Sequence, residues 1–504
     1  MYPSRRPGGG LAFLAMSLSE STAPIPPRAE SEVGHWDGEA DVVVVGYGCA
    51  GASAAIGALE GGSSVIVLER AGAGGGASSM AGGEIYMGGG TPVQKACGFD
   101  DTPQAMYDFL IAATGASPNE GKISLYCERS VDHFHWLVDC GVVFKPSFYA
   151  LPCWEPPTDD GLVYTGGENA WPFNEMVPPA PRGHVPQIQN KRILEKSGGW
   201  ELMRHLSGTA EARGAQVRPD SRATRLVVAP DGSVVGVAGR SFGSDFALRA
   251  RRGVVLATGG FAANKEMVAL HAPAIAGQMA LGTDGDDGSS ILMGLGVGAA
   301  VAHMDAAEAA LPSTPALVYP SVLVNRVGQR FINEDTYCGR IGQMAVFHQG
   351  ARCYLVLDET IFESVPEGDR WGARPTWVGE TVSELEAEMG LPAGSLQATV
   401  ELYNRHAEQG EDPLFHKRAE YLRPLRSPFG AIDLTGAPYA TFTLGGLVTS
   451  TDGEVIGPGG LPIPGLFAAG RATSGIPSWG YASGTSLGDG TFFGRRAGQA
   501  AARR

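Results

Sequence analysis

Asp41-Val-Val-Val-Val45-Gly46-Tyr47-Gly48-Cys49-Ala50-Gly51 is the stretch that decides the fold. Its four consecutive valines do not alternate with polar residues, the pattern of a strand buried on both faces in a parallel sheet. Ala-rich helical sequence follows from Ala52 to Leu59, then a second apolar run, Ser64-Val-Ile-Val-Leu-Glu69. In such a strand, turn and helix unit each glycine has its own task. Gly46 permits the tight turn, Gly48 lets backbone N–H groups approach a pyrophosphate, and Gly51 lets helix and strand pack closely. Cys49 and Ala50 open the helix, whose positive dipole end faces the phosphates. Glu69, about 23 residues after Gly46 and followed by Arg70, stands where an acid accepts hydrogen bonds from an adenosine ribose. A glycine triplet alone says little in a chain with 73 Gly. Between two buried strands, with the acid closing the second, it marks a dinucleotide site.

Outward from this unit, residues 71–86 carry Ser78, Ser79, Gly82 and Gly83 in a segment too Gly-rich for an ordinary helix. We read it as backbone closely approaching a second part of the cofactor, a loop that flavoproteins often have and nicotinamide enzymes do not need. From residue 216 onward, three short β segments beginning at Thr224, Ser233 and Phe246 read as a meander. Val254-Val-Leu-Ala257-Thr258-Gly259 then returns as a separate parallel strand, which sets Ala257, Thr258 and Gly259 against the same ligand. Helix signals inside 274–440 include a capping pattern, Thr381-Val-Ser-Glu384, and a second helix over 395–406. Near the end, Gly470-Arg471 closes a strand, and Gly484-Thr485-Ser486-Leu487 opens a terminal helix whose amides suit an anionic flavin edge. The expected fold is α/β: a Rossmann-like nucleotide-binding domain, parallel sheet plus β-meander, from 36–273 and 441–504, with an inserted α+β catalytic or substrate-capping domain at 274–440. Residues 1–35 read as a disordered tail in which Met16 offers an alternative start.

Composition narrows the function. With 43% hydrophobic and 18% charged residues, the chain forms a core and is not disordered as a whole. A net charge of −15 without a basic stripe argues against nucleic acid or an anionic membrane as partner, and for a small ligand. Seven cysteines with no C-x-x-C pair point to a reducing, cytoplasmic setting without zinc. The long apolar run at 291–304 has 14 residues, short of the ~20 that cross a bilayer. Leu11-Ala-Phe-Leu-Ala-Met16 is too short for a signal core. None of the ten histidines has ligand spacing, so no metal is expected.

Taken together, GYGCAGASAA, VLE, GGGASSMAGG, VVLATGGF, GDDG, GQRFINE, GLFAAG and GTSLGDGTFFGRRAG resemble the fumarate reductase and 3-ketosteroid dehydrogenase superfamily of FAD enzymes, from about Asp41 to Gly498. The resemblance implies an FAD domain made from both ends of the chain, with Asp287 of GDDG at the cofactor and a catalytic domain inserted over the isoalloxazine. FAD is expected to be non-covalent, because 71–86 holds no histidine for a covalent link. The family's common glutamate after the A-A-G turn is Arg471 here. Fumarate reductases place an arginine a few residues after the N-E pair; Tyr337 and Cys338 stand there instead, with Arg340 slightly later, so a neutral substrate is expected.

Residues 478–487 are similar to the 3-ketosteroid Δ4-(5α)-dehydrogenases, whose tyrosine, serine and second tyrosine match Tyr481, Ser483 and Tyr337. The Tyr-Pro-Gly-Ala-Gly type segment of the Δ1-dehydrogenases is lacking. What this implies is desaturation of a small apolar steroid ketone. Tyr481, assisted by an amide from 484–486, would hold the C3 oxygen; Ser483 would take the C4 proton; Tyr337 would polarise the serine and relay the proton outward; flavin would receive the C5 hydride. A quinone, another flavoprotein or oxygen would reoxidise the flavin. Tyr319, and the run Phe148, Tyr149 and Trp154, are weaker candidates for pocket lining. The alternatives are a Δ1-dehydrogenase, a reductase of a small unsaturated acid with Arg340 as its clamp, and a non-enzymatic flavin electron carrier.

Overall fold

The computed structural model describes residues 22–188, 197–436 and 438–504. The valine run lies in the strand Glu39–Val45, inside a nine-stranded sheet. It pairs in parallel with Val65–Leu68 on one side and with the second half of Ser244–Leu256 on the other. The run does not alternate because both faces are covered. Val42 and Val44 pack among the helices Cys49–Glu60 and Thr485–Arg503, while Val43 and Val45 meet Leu447 and Leu466 on the opposite face. Pro462–Ala468 pairs in parallel with Val254–Leu256, so the two ends of the chain share one sheet.

Those two helices fix the geometry of the site. They run side by side in the same direction: a Cβ on Gly494 would collide with Ala50 O, and one on Gly498 with Ala54 O. Glycine at these positions lets the backbones touch, which brings the N-termini at Gly48 and Gly484 to the same end of the sheet.

Three sequence expectations change. Phe246–Ala250 and Val254–Leu256 are not separate strands but parts of one 13-residue strand, Ser244–Leu256. Residues 244–249 pair antiparallel with Val234–Ser241 and residues 249–256 pair in parallel with Glu39–Val45, with a register shift between Ala250 and Gly253 inside the parallel pairing, so no turn is needed. The Gly-rich segment does contain a short helix, Gly76–Met80, because Gly199 of the helix Gly198–Ala212 leaves room for it. The expected tail is built into the fold from Thr22 onward: Arg28–Ala29 pairs in parallel with Val227–Val228, and Glu30 bridges Arg249 at 3.1 Å. Residues 1–21 lie outside the described residues.

Between the cofactor strands, residues 274–440 carry a four-stranded antiparallel sheet and the helices Val382–Glu388 and Ser395–Ala407. The first helix has the reciprocal Thr381 and Glu384 cap. A three-stranded sheet joins Met279–Ala280, Ala440–Thr443 and Ala307–Ala310, and it carries Glu308 and Phe442 to the cavity wall. The sequence reading did not separate out residues 85–184, which form another small sheet with helices whose aromatic residues Phe109, Tyr126 and Phe173 pack in a core with Ala482 and Phe492. Among the described residues no helix is long and apolar enough to cross a membrane.

Candidate functional site

A cavity of about 790 Å³ opens at the carboxyl ends of the central strands and extends beneath the inserted segment. Its first end is built from backbone. Gly46 has φ +101°, and a Cβ there would lie 2.5 Å from Ala257 O. Only glycine can turn the chain at this spot while Ala257, Thr258 and Gly259 pass beside it. Ser78 Oγ accepts the Cys49 N–H at 3.1 Å and holds the helix start open to the cavity with Gly48 and Ala50. The Glu69 carboxylate accepts N–H bonds from Tyr47 (3.0 Å) and Ala71 (2.8 Å), so it is fixed across two strand ends while still lining the cavity. Arg70, Gly82, Gly470, Arg471, Ser486 and Leu487 complete the expected residues on this wall.

Five expected cofactor residues are not on it. Gly51 lies under the turn, where a Cβ would collide with Gly46 O. Gly83 packs against Gly198, the Ser79 hydroxyl donates to Gly76 O at 3.0 Å, and the Thr485 hydroxyl donates to Ala482 O at 2.7 Å. Asp287 is a correction: it is not among the cavity residues, and its carboxylate is held between Arg70 and Arg222, which are, 3.0 Å from each. The cavity aspartate is its neighbour Asp286, which accepts the Gly260 N–H at 3.1 Å and the Arg471 guanidinium at 3.3 Å. Spacing alone could not tell the two acids of GDDG apart. The first points into the cavity, and two arginines at the cavity edge capture the second.

The other end is built from side chains. Tyr337, Tyr481 and Ser483 all line it, with the two phenol rings 6.4 Å apart between centroids. Phe442 stands edge-on to Tyr481 at 5.1 Å and carries the Arg471 guanidinium over its face at 5.0 Å. The Ser486 N–H expected to assist at the ketone points instead to Tyr481 Oη at 3.4 Å. Burial raises the Tyr481 phenol above its ordinary value, so it stays a donor at neutral pH. Tyr337 Oη–H donates to Glu308 Oε1 at 2.9 Å. Glu308 is 1% exposed, its Oε2 has no hydrogen-bond partner, and burial pushes its carboxyl up to about 8. The sequence reading missed this residue. Its one signal was an acid among alanines in Asp305-Ala-Ala-Glu308-Ala-Ala, which has no motif spacing.

The remaining candidates divide. Trp154 lines the cavity and meets Trp371 at 5.3 Å between ring centroids. Phe148 packs on Phe99 and Tyr164, and Tyr149 and Tyr319 line a smaller recess on the far side of Tyr337. Arg340 does not reach the cavity. Its guanidinium lies over Phe173 at 4.7 Å, so in this arrangement it is not placed to clamp a carboxylate in the cavity.

A glycine turn, a carboxylate fixed across two strand ends and two convergent helix N-termini define a dinucleotide-binding flavoprotein. The chain belongs to the FAD binding domain family, whose model matches residues 41–487, and it binds FAD. It is similar, at 54% identity over 95% of this chain and 100% of the other with a TM-score of 0.93, to the crystal structure of 3-ketosteroid-Δ4-(5α)-dehydrogenase from Rhodococcus jostii RHA1 in complex with 4-androstene-3,17-dione. A 3-oxo-5-alpha-steroid 4-dehydrogenase of Comamonas testosteroni is 28% identical, covering 86% of this chain and 93% of that protein. A probable fumarate reductase of Shewanella frigidimarina is also 28% identical, covering 92% and 74%.

Proposed function

We propose that the protein is an FAD-dependent dehydrogenase that introduces the C4–C5 double bond into 3-keto-5α-steroids. The observation that carries this reading is that Tyr337, Tyr481 and Ser483, distant in sequence, share one wall of the FAD cavity. Similarity to the Rhodococcus jostii enzyme supports the choice of substrate.

An α C–H beside a ketone is too weak an acid to ionise unless the developing enolate meets a donor in a dry site. Tyr481 Oη supplies that donor, and the Ser486 N–H directed at the same oxygen strengthens it. Ser483 Oγ receives the C4 proton; its backbone N–H, bonded to Thr165 O at 3.2 Å, fixes its position. The Glu69 carboxylate suits the ribose and the helix starts at Gly48 and Gly484 suit the phosphates and the anionic flavin edge. FAD, when bound, supplies the acceptor for the electron pair that leaves C5 with its hydrogen.

On this reading, 36–273 and 441–504 hold the cofactor and 274–440 contributes the wall that carries Tyr337. No disulfide joins the seven cysteines, all of which lie among the described residues, and this suits a reducing, cytoplasmic setting. A quinone, a second flavoprotein or oxygen takes the electrons onward. The test is product identification after incubation with 5α-androstane-3,17-dione and an artificial electron acceptor. A 4-ene product is expected; a 1-ene product would reassign the chain to Δ1 chemistry.

A further inference from the structure

We infer that Glu308 is the proton acceptor behind Tyr337, the carboxylate that receives through the phenol the proton Ser483 removes from substrate. The inference rests on the desaturation proposed above. A serine hydroxyl cannot keep a proton taken from carbon, and a phenol in a dry site cannot keep it either, so the chain of hydroxyls needs an end.

Two observations place that end at Glu308. Tyr337 directs its O–H at Glu308 Oε1, 2.9 Å away, which leaves a lone pair of the phenolic oxygen able to accept from another hydroxyl of the cavity it shares with Ser483. Room has also been made for the pair: a Cβ on Gly339 would collide with both Glu308 Oε1 and the Tyr337 ring, so only glycine at 339 lets carboxyl and phenol meet. A carboxyl in an all-alanine strand, 1% exposed, is costly to ionise, and among the described residues no cation pairs with it. The titratable groups that face it are Tyr337 and Cys338 from the start of the helix Cys338–Gln343, and Tyr481 from the segment before the terminal helix. Arg471 stands beyond Phe442.

The step balances. The C4–H bond breaks as Ser483 Oγ takes its proton; the serine's own proton passes to Tyr337 Oη, and the phenol's proton passes to Glu308 Oε1. The C4–H electron pair becomes the new π bond, and the C5 hydrogen leaves with its pair to bound FAD, the oxidant. Glu308 goes from carboxylate to acid and loses that proton to water between turnovers. Glu308 acts through Tyr337, so it is a positioning residue with a proton-accepting task.

Only the carboxylate form can accept. The rate of steroid-dependent flavin reduction in the holoenzyme is therefore expected to rise about tenfold per pH unit below about 8 and then level off. E308Q should abolish this limb and slow reduction at pH 8 by about 100-fold, while E308D restores part of both. Infrared titration should show a protonated-carboxyl band that disappears near pH 8 in wild type, persists to higher pH in Y337F, which lacks the hydrogen bond that favours the carboxylate, and is absent from E308Q. A limb and a rate unchanged in E308Q would overturn the inference while leaving the steroid reading in place. Wild type that reduces no flavin with steroid at any pH would instead overturn the reading on which the inference rests. If E308Q fails to retain FAD, Y337F decides, since it keeps the carboxyl and cuts its link: loss of the limb upholds the inference and its persistence contradicts it.

Discussion

The two ends of the cavity are made differently. At the dinucleotide end the work is done by backbone: positive φ at Gly46, close approach at Gly51, two helix starts, and one carboxylate held by two amides. At the substrate end it is done by side chains from three distant segments: Glu308 from one strand, Tyr337 from a helix start, and Tyr481 and Ser483 from the stretch before the last helix. The first end should therefore fail as a binding site, whereas the second should fail as a reaction centre with its cofactor still in place.

The largest effect belongs to the backbone end. Gly51→Val should express as colourless protein or not fold, because its side chain collides with Gly46 O; FAD content by absorbance checks this, and a yellow variant would break the contrast. Next is Tyr481→Phe, which should retain FAD but reduce it about 100- to 1,000-fold more slowly with steroid, as measured by stopped flow.

A stability measurement sharpens the comparison from another side. The folded state holds the Glu308 proton up to about pH 8, whereas the unfolded chain releases it near 4.5. The unfolded state therefore binds fewer protons across that window, and folding stability falls as pH rises through it. Glu308→Gln removes this loss, so at pH 9 the variant should be more stable than wild type by roughly 3–5 kcal/mol in denaturant titrations, with the difference vanishing near pH 4. The smallest effect is expected at Arg340. Arg340→Met should leave steroid turnover within about twofold, because the guanidinium rests on Phe173 rather than on substrate. A large loss would bring the acid-clamp alternative back.

The same contrast explains what could be read from the sequence. A demand on the backbone admits few residues, so Gly46, Gly48, Gly51 and Glu69 could be read from local spacing, as could the capping pair Thr381 and Glu384. Tyr337, Tyr481 and Ser483 were named through resemblance to a family; no rule of spacing links a tyrosine at 337 to one at 481. Glu308 was invisible because its meaning comes from a neighbour 29 residues away, at the start of a helix. The choice between Asp286 and Asp287 turned on a single bend. The bent strand Ser244–Leu256 read as two because Arg251-Arg252-Gly253, at the register shift, interrupts its apolar pattern. Arg28–Ala29 read as tail because two residues carry no periodicity.

The most direct test of the central claim is anaerobic mixing of the FAD-loaded protein with a 5α-saturated 3-ketosteroid, following the visible flavin band and identifying the steroid afterwards. The account predicts bleaching of one flavin per steroid converted, with a 4-ene product. An unbleached flavin and unchanged steroid, from protein that carries its full complement of FAD, would contradict it.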